Sequence, residues 1–112
     1  MIMFGTQSGS IPSFESHLEK LKEPCRTVLV DLRKFVMSLG SNVIEEVRPH
    51  RIVYAKAMNL RTFLDVEPMA NDSLILSIRY GREMPSITMT VTNTEDAERA
   101  KKQISEAYQK IR

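Results

Sequence analysis

The spacing of apolar residues changes twice along this chain. Between residues 25 and 39 they recur at three and four, as Cys25, Val28, Leu29, Leu32, Phe35, Val36 and Leu39. That is the stripe a helix lays against a core. Phe14, Leu18 and Leu21 begin the same pattern upstream, behind Pro12-Ser13, with Ser13 as the expected N-cap. Pro24 ends that short helix or opens the next, because proline suits a first turn and disrupts an interior. Gly40 stands where a left-handed cap belongs.

From residue 43 the period falls to two. Val43 to Val47 and Ile52 to Ala57 read as short strands. Leu60, Thr62, Leu64 and Val66 then alternate with Arg61, Phe63, Asp65 and Glu67. Leu74, Leu76, Ile78 and Tyr80 alternate with Ile75, Ser77 and Arg79, and Ile87, Met89 and Val91 with Ser86, Thr88 and Thr90. Turn residues separate them at Met58-Asn59, at Ala70 to Ser73 and at Gly81 to Pro85. Alternation of this kind predicts a sheet with one buried and one wetter face, and the short links predict antiparallel pairing.

The last segment is helical again. Asn93 or Thr94 caps it, and Ala97, Ala100, Ile104, Ala107, Tyr108 and Ile111 form one narrow stripe. Glu98 with Lys102, and Glu106 with Lys110, stand four apart in the favourable order. Helices at both ends of the chain and strands between them predict an α+β fold. We expect a two-layer sandwich, an antiparallel sheet of four or five strands with the N-terminal and C-terminal helices on one face. Leu32, Val36, Leu64, Leu76, Ile78, Met89, Ile104 and Tyr108 are its expected core. Residues 1–12 read as a flexible N-terminal arm, because 5–13 are Gly- and Ser-rich without a period. Residues 13–112 read as the single domain.

Composition narrows the function classes. Over 112 residues, 42% are hydrophobic and 27% charged, an ordinary globular balance. Sixteen basic against fourteen acidic residues give +2, too weak a surplus to mark a nucleic-acid binder by itself. One cysteine allows no intrachain disulfide, which fits a reducing compartment, so the expected location is cytoplasmic. Met1 to Gly5 has neither a basic start nor a long apolar run, so no secretory leader and no membrane span are expected.

The strand region resembles a known family. Ile52-Val53-Tyr54-Ala55-Lys56, Phe63-Leu64-Asp65-Val66-Glu67-Pro68 and Leu74-Ile75-Leu76, with a last helix ending in Ala107-Tyr108, are similar to an uncharacterised family of small domains described as predicted transport proteins. Its members often sit C-terminal to larger chains. The resemblance covers roughly residues 25–111 and implies the helix–sheet–helix layout. It implies no activity and no catalytic residue.

The residues that carry chemistry are sparse. His17, His50 and Cys25 share no metal-ligand spacing and the two histidines read as surface groups, so neither a metal nor another cofactor is expected. Cys25 lies on an apolar helix face and reads as a buried, inert thiol. No serine elbow or phosphate-cradling glycine loop is present. Asp65 and Glu67 share one strand face, whereas Glu45 and Glu46 point to opposite faces. The carboxylates at 65 and 67 read as solvated or paired with Arg61 and Arg79 across the strands, and the arginines of the basic stretch have Asp65, Glu67 and Glu46 as alternative partners. An enzyme therefore ranks low, with a small-molecule-binding domain a further alternative.

Two surfaces remain. The first is the outward sheet face, where Phe63 and Ile75 form an apolar pair ringed by Arg61, Asp65, Glu67, Ser77 and Arg79, the layout of a contact surface. Its expected occupant is another protein or a second copy of the chain, and the competing occupant is the Ile2-Met3-Phe4 tip. The second is the basic stretch from 48 to 61. There Arg48, Arg51, Lys56 and Arg61, with the aromatic rings of Tyr54 and Phe63, would serve a nucleic acid through phosphate contacts and stacking. The binding module using its open sheet face ranks first, and the nucleic-acid accessory role second.

Overall fold

The structure is a computed structural model that describes residues 11–111. The expected arm, with its apolar tip, lies outside the described residues apart from Ile11 and Pro12. The elements run α1 (Phe14–Glu19), α2 (Cys25–Met37), β1 (Val43–Val47), β2 (Ile52–Lys56), β3 (Arg61–Met69), β4 (Ser73–Ile78), β5 (Ile87–Val91) and α3 (Thr94–Lys110). The five strands form one antiparallel sheet in the order of the chain, each paired with the next. This is the α+β sandwich that the change of period predicts. Among the described residues no helix is long and apolar enough to cross a membrane.

Local chemistry sets the helix starts. Ser13 accepts from the Ser16 amide while Ser16 reaches back to Ser13, a reciprocal cap. Asn93 accepts from the Asp96 amide and opens α3. Asp96 in turn accepts from the Thr92 amide, which holds its carboxyl below the usual carboxylate range. The expected ion pairs on α3 are replaced. Lys101 bridges Glu98 and Asp31, tying α3 to α2, and Glu106 instead accepts from the Tyr80 hydroxyl.

The core lies between the sheet and the two longer helices. Leu32, Val36, Leu64, Leu76, Ile78 and Ile104 are at most 1% exposed. Met89 and Tyr108 are only partly buried against them. Met89 sits on the edge strand, and the Tyr108 phenol reaches past the core to Asn42. Gly40 departs from the expected left-handed cap, since no described glycine has a positive φ. Its role is clearance, because a Cβ there would meet the Tyr108 hydroxyl. The residue that does take the left-handed region in the β2–β3 turn is Leu60, at φ 53.

One strand departs from strict alternation. β2 and β3 pair from Ile52↔Val66 to Tyr54↔Leu64, then resume at Ala55↔Thr62, so Phe63 has no partner. This is a bulge, one extra residue on one strand. Phe63 and Leu64, adjacent in the chain, are both 0% exposed. The Phe63 ring meets Tyr108 of α3 edge-on, with centroids 5.3 Å apart. Phe63 is therefore a core residue, and its expected place on the open face is corrected.

Candidate functional site

With the helices on one side, the register defines what faces outward. Glu46, Val53, Asp65, Ser77 and Thr88 form one row across all five strands. Glu67, Ile75 and Thr90 form a second. With Phe63 withdrawn, Ile75 has lost its expected apolar partner, and the other branched apolar residues of this face, Ile44 and Val53, stand on β1 and β2. The apolar pair that made this face a contact surface does not exist.

What the face does hold is a basic depression of ≈ 490 Å³. Val53, Thr62 and Asp65 line it together with Arg48, Arg51, Arg61, Arg79 and Arg82, and Ile111, which follows α3, also borders it. Two turns and one loop deliver these arginines. Arg48 and Arg51 close the β1–β2 turn, where the Arg48 amide donates to the Arg51 carbonyl at 2.8 Å. Arg61 opens β3. Arg79 follows β4 and its amide donates to the Phe63 carbonyl, so the bulge residue also fixes Arg79. Arg82 comes from the loop between β4 and β5, with Gly81 and Met84.

The two ends of the depression differ in charge pairing. Arg51 donates to Asp65 Oδ2 at 3.1 Å and stands 3.9 Å from Glu67. Arg48 pairs with Glu46 at 3.0 Å. Thus Asp65 and Glu67 are held by the turn arginine and not by Arg61 and Arg79 across the strands. Among the described residues, Arg61, Arg79 and Arg82 form no salt bridge. All three belong to the end of the sheet where β3 begins and β4 finishes.

Of the expected interaction residues, Arg61, Asp65 and Arg79 line the depression. Glu67, Ile75 and Ser77 lie on the same face outside its lining, and Phe63 is in the core. Of the expected nucleic-acid residues, Arg48, Arg51 and Arg61 line it, and Lys56 does not. The Lys56 amine sits over the Tyr108 ring at 4.5 Å and donates to the Ile111 carbonyl. Tyr54 is 1% exposed, so neither it nor Phe63 offers a ring to a base. Arg82 and Met84 went unforeseen, because only the folding of the β4–β5 loop toward β3 brings them in, and Thr62, grouped by alternation with Leu64 and Val66, reaches the site because the bulge at Phe63 shifts the register.

A second unforeseen residue supports the site from behind. His17, expected at the surface, is 1% exposed. Its Nε2 donates to the Arg48 carbonyl at 2.7 Å, so α1 braces the turn that presents Arg48 and Arg51. Among the described residues no group of three His, Cys, Asp or Glu side chains gathers as a metal set would.

Cys25 is 1% exposed, and its thiol donates to the Asp72 carbonyl at 2.9 Å. Burial first, and the Asp72 and Glu23 charges second, push its pKa up. Both effects disfavour the thiolate, which is the reactive form. Native protein should therefore react with a thiol reagent far more slowly than protein in denaturant, followed by mass spectrometry. Rapid stoichiometric labelling under native conditions would contradict this inert role.

The chain matches no family model, no curated protein and no solved structure among those compared.

Proposed function

We propose that this domain is a non-enzymatic binding module whose open sheet face holds a phosphate-bearing partner. The observation that carries the reading is the convergence of Arg61, Arg79 and Arg82, unpaired among the described residues, on one depression. Guanidinium is a planar, always charged donor whose fork matches phosphate and carboxylate oxygens. Three of them left without a carboxylate form a region of positive potential that an anion relieves. The family resemblance of the strand region is compatible with this role and adds no residue to it. A surface centred on apolar contact has less support now that Phe63 is in the core.

The test is calorimetric titration with inorganic tripolyphosphate, compared between the wild type and an Arg61→Ala/Arg79→Ala/Arg82→Ala variant. Charge-assisted hydrogen bonds contribute about 1.5–3 kcal/mol each. Loss of all three should therefore lower affinity by about 1,000-fold or more, to below detection. The side chains lie at the surface, so the melting temperature should hardly change. A variant that binds as tightly as the wild type, or a wild type that binds nothing at low salt, would remove the proposal.

A further inference from the structure

The two ends of the sheet differ in what their turns expose. At the end where β2 passes into β3, the turn residues Ala57, Met58, Asn59 and Leu60 stand beyond the last pair, Lys56↔Arg61. Met58 is 91% exposed and Leu60 71%. At the same end the loop from β4 to β5 adds Met84, 58% exposed, and leads into Ile87, which is also exposed. The turns of the opposite end carry Pro49, His50, Asn71 and Asp72 instead. A single exposed apolar residue is ordinary. Three on two adjoining segments are not, and packing does not account for them. Leu60 has φ 53, a left-handed conformation that costs a leucine and suits glycine or asparagine. Its exposed side chain recovers little of that cost by burial.

Charge follows the same division. Residues 57–61 and 79–86 hold Arg61, Arg79 and Arg82 against one acid, Glu83. The three arginines form no salt bridge among the described residues, and they line one depression together with Met84. Cations stand next to the apolar tips in the chain, since Arg61 follows Leu60 and Arg82 is two residues before Met84. Protruding apolar side chains with cations beside them match a phospholipid leaflet, in which a layer of phosphates overlies hydrocarbon.

We infer that this end of the sheet docks on the surface of an anionic phospholipid bilayer, with Met58, Leu60 and Met84 entering the acyl boundary and Arg61, Arg79 and Arg82 on the headgroup phosphates. This rests on the phosphate-binding reading above and names its partner. The chain lies on the bilayer and does not cross it. A protein partner would need a formed pocket for each protruding side chain, whereas a fluid leaflet accepts flexible Met and Leu side chains without one. Arginine stems can lie along the apolar boundary while their heads stay with the phosphates. Each cation close to an anionic leaflet raises partitioning about fivefold, and salt weakens that share.

The experiment is vesicle flotation of the whole chain, with phosphatidylcholine alone and with phosphatidylcholine mixed with phosphatidylglycerol. The wild type should float with the mixed vesicles and far less with the neutral ones. Arg61→Ala/Arg79→Ala/Arg82→Ala should lower partitioning into the mixed vesicles about 100-fold. Met58→Ser/Leu60→Asn should lower it about tenfold or more, yet bind tripolyphosphate as the wild type does. Asparagine suits the left-handed turn, so this variant should melt no lower than the wild type, which separates lost docking from lost folding. The chain has no Trp, so Met58→Trp supplies a single reporter whose emission should shift to the blue on mixed vesicles. His50→Trp, in a turn of the opposite end, should show no such shift. A wild type that does not float with the mixed vesicles, undiminished partitioning of Met58→Ser/Leu60→Asn, or an unshifted Met58→Trp would overturn the inference. Binding of tripolyphosphate or of a phosphorylated peptide without vesicle binding would overturn it while leaving the phosphate-binding reading intact. Loss of both would overturn the two together.

Discussion

Phe63→Asp is expected to unfold the chain. Phe63 is 0% exposed at the bulge of β3, with its ring against Tyr108. Truncating a buried phenylalanine costs about 3–5 kcal/mol through lost transfer energy and the cavity left behind. A carboxylate at the same place adds the cost of an unpaired charge in the core. Together these approach the whole stability of a typical domain, about 5–15 kcal/mol. Far-UV circular dichroism of Phe63→Asp should show little native structure. Phe63→Leu should remain folded, with a urea midpoint moderately below that of the wild type. Ile75→Thr, on the open face of the neighbouring strand, should change stability by only about 1 kcal/mol or less. A folded Phe63→Asp protein of near-normal stability would mean that the ring is not part of the core.

This pair of residues also shows where the sequence stops informing. Alternation in β3 correctly turns Leu64 and Val66 toward the helices and Asp65 toward the open face. A bulge is invisible to alternation, because it is a property of two strands and appears only when β2 pairs with Tyr54↔Leu64 and then Ala55↔Thr62. The same holds for the site. Arg48, Arg51 and Arg61 are legible as a basic stretch because they are near in sequence. Arg79 and Arg82 join them only through the β3–β4 pairing and the loop that follows. Lys56 shows the converse, being near in sequence yet turned to the helix side, where Tyr108 and the Ile111 carbonyl hold it. His17 is legible as a residue beside an apolar stripe but not as a brace, since its partner lies thirty-one positions away.

Glu45 supports a further test, because three elements meet at its carboxylate. It lies on the helix side of β1, opposite Glu46, as the alternation of that strand requires. Arg33 of α2 donates to both oxygens, at 2.9 and 2.8 Å, and Tyr54 of β2 donates at 2.7 Å. The Arg33 guanidinium also covers the Phe14 ring at 4.1 Å, which brings α1 into the same cluster. Glu45→Ala leaves the buried Tyr54 hydroxyl without its acceptor, a loss of about 1–3 kcal/mol. Arg33 is partly exposed and regains water, so its share is smaller. We expect about 2–4 kcal/mol in total by urea unfolding, with Glu45→Gln and Tyr54→Phe each costing less. Alkaline pH separates the contributions. Burial, together with the Glu45 carboxylate, pushes the Tyr54 phenol far above its ordinary range, so it stays neutral in the fold. An unfolded tyrosine ionises near pH 10, roughly the value of a free phenol side chain. The stability contributed by this neutral phenol is thus complete below about pH 10 and is lost as pH rises beyond it. Tyr80 and Lys101 shift in the same direction and leave a residual slope in any variant. Tyr54→Phe should therefore start less stable than the wild type at neutral pH and lose less stability per pH unit above about 10. Parallel curves for the two proteins in that range would show that the Tyr54 hydroxyl is not held by Glu45 in solution.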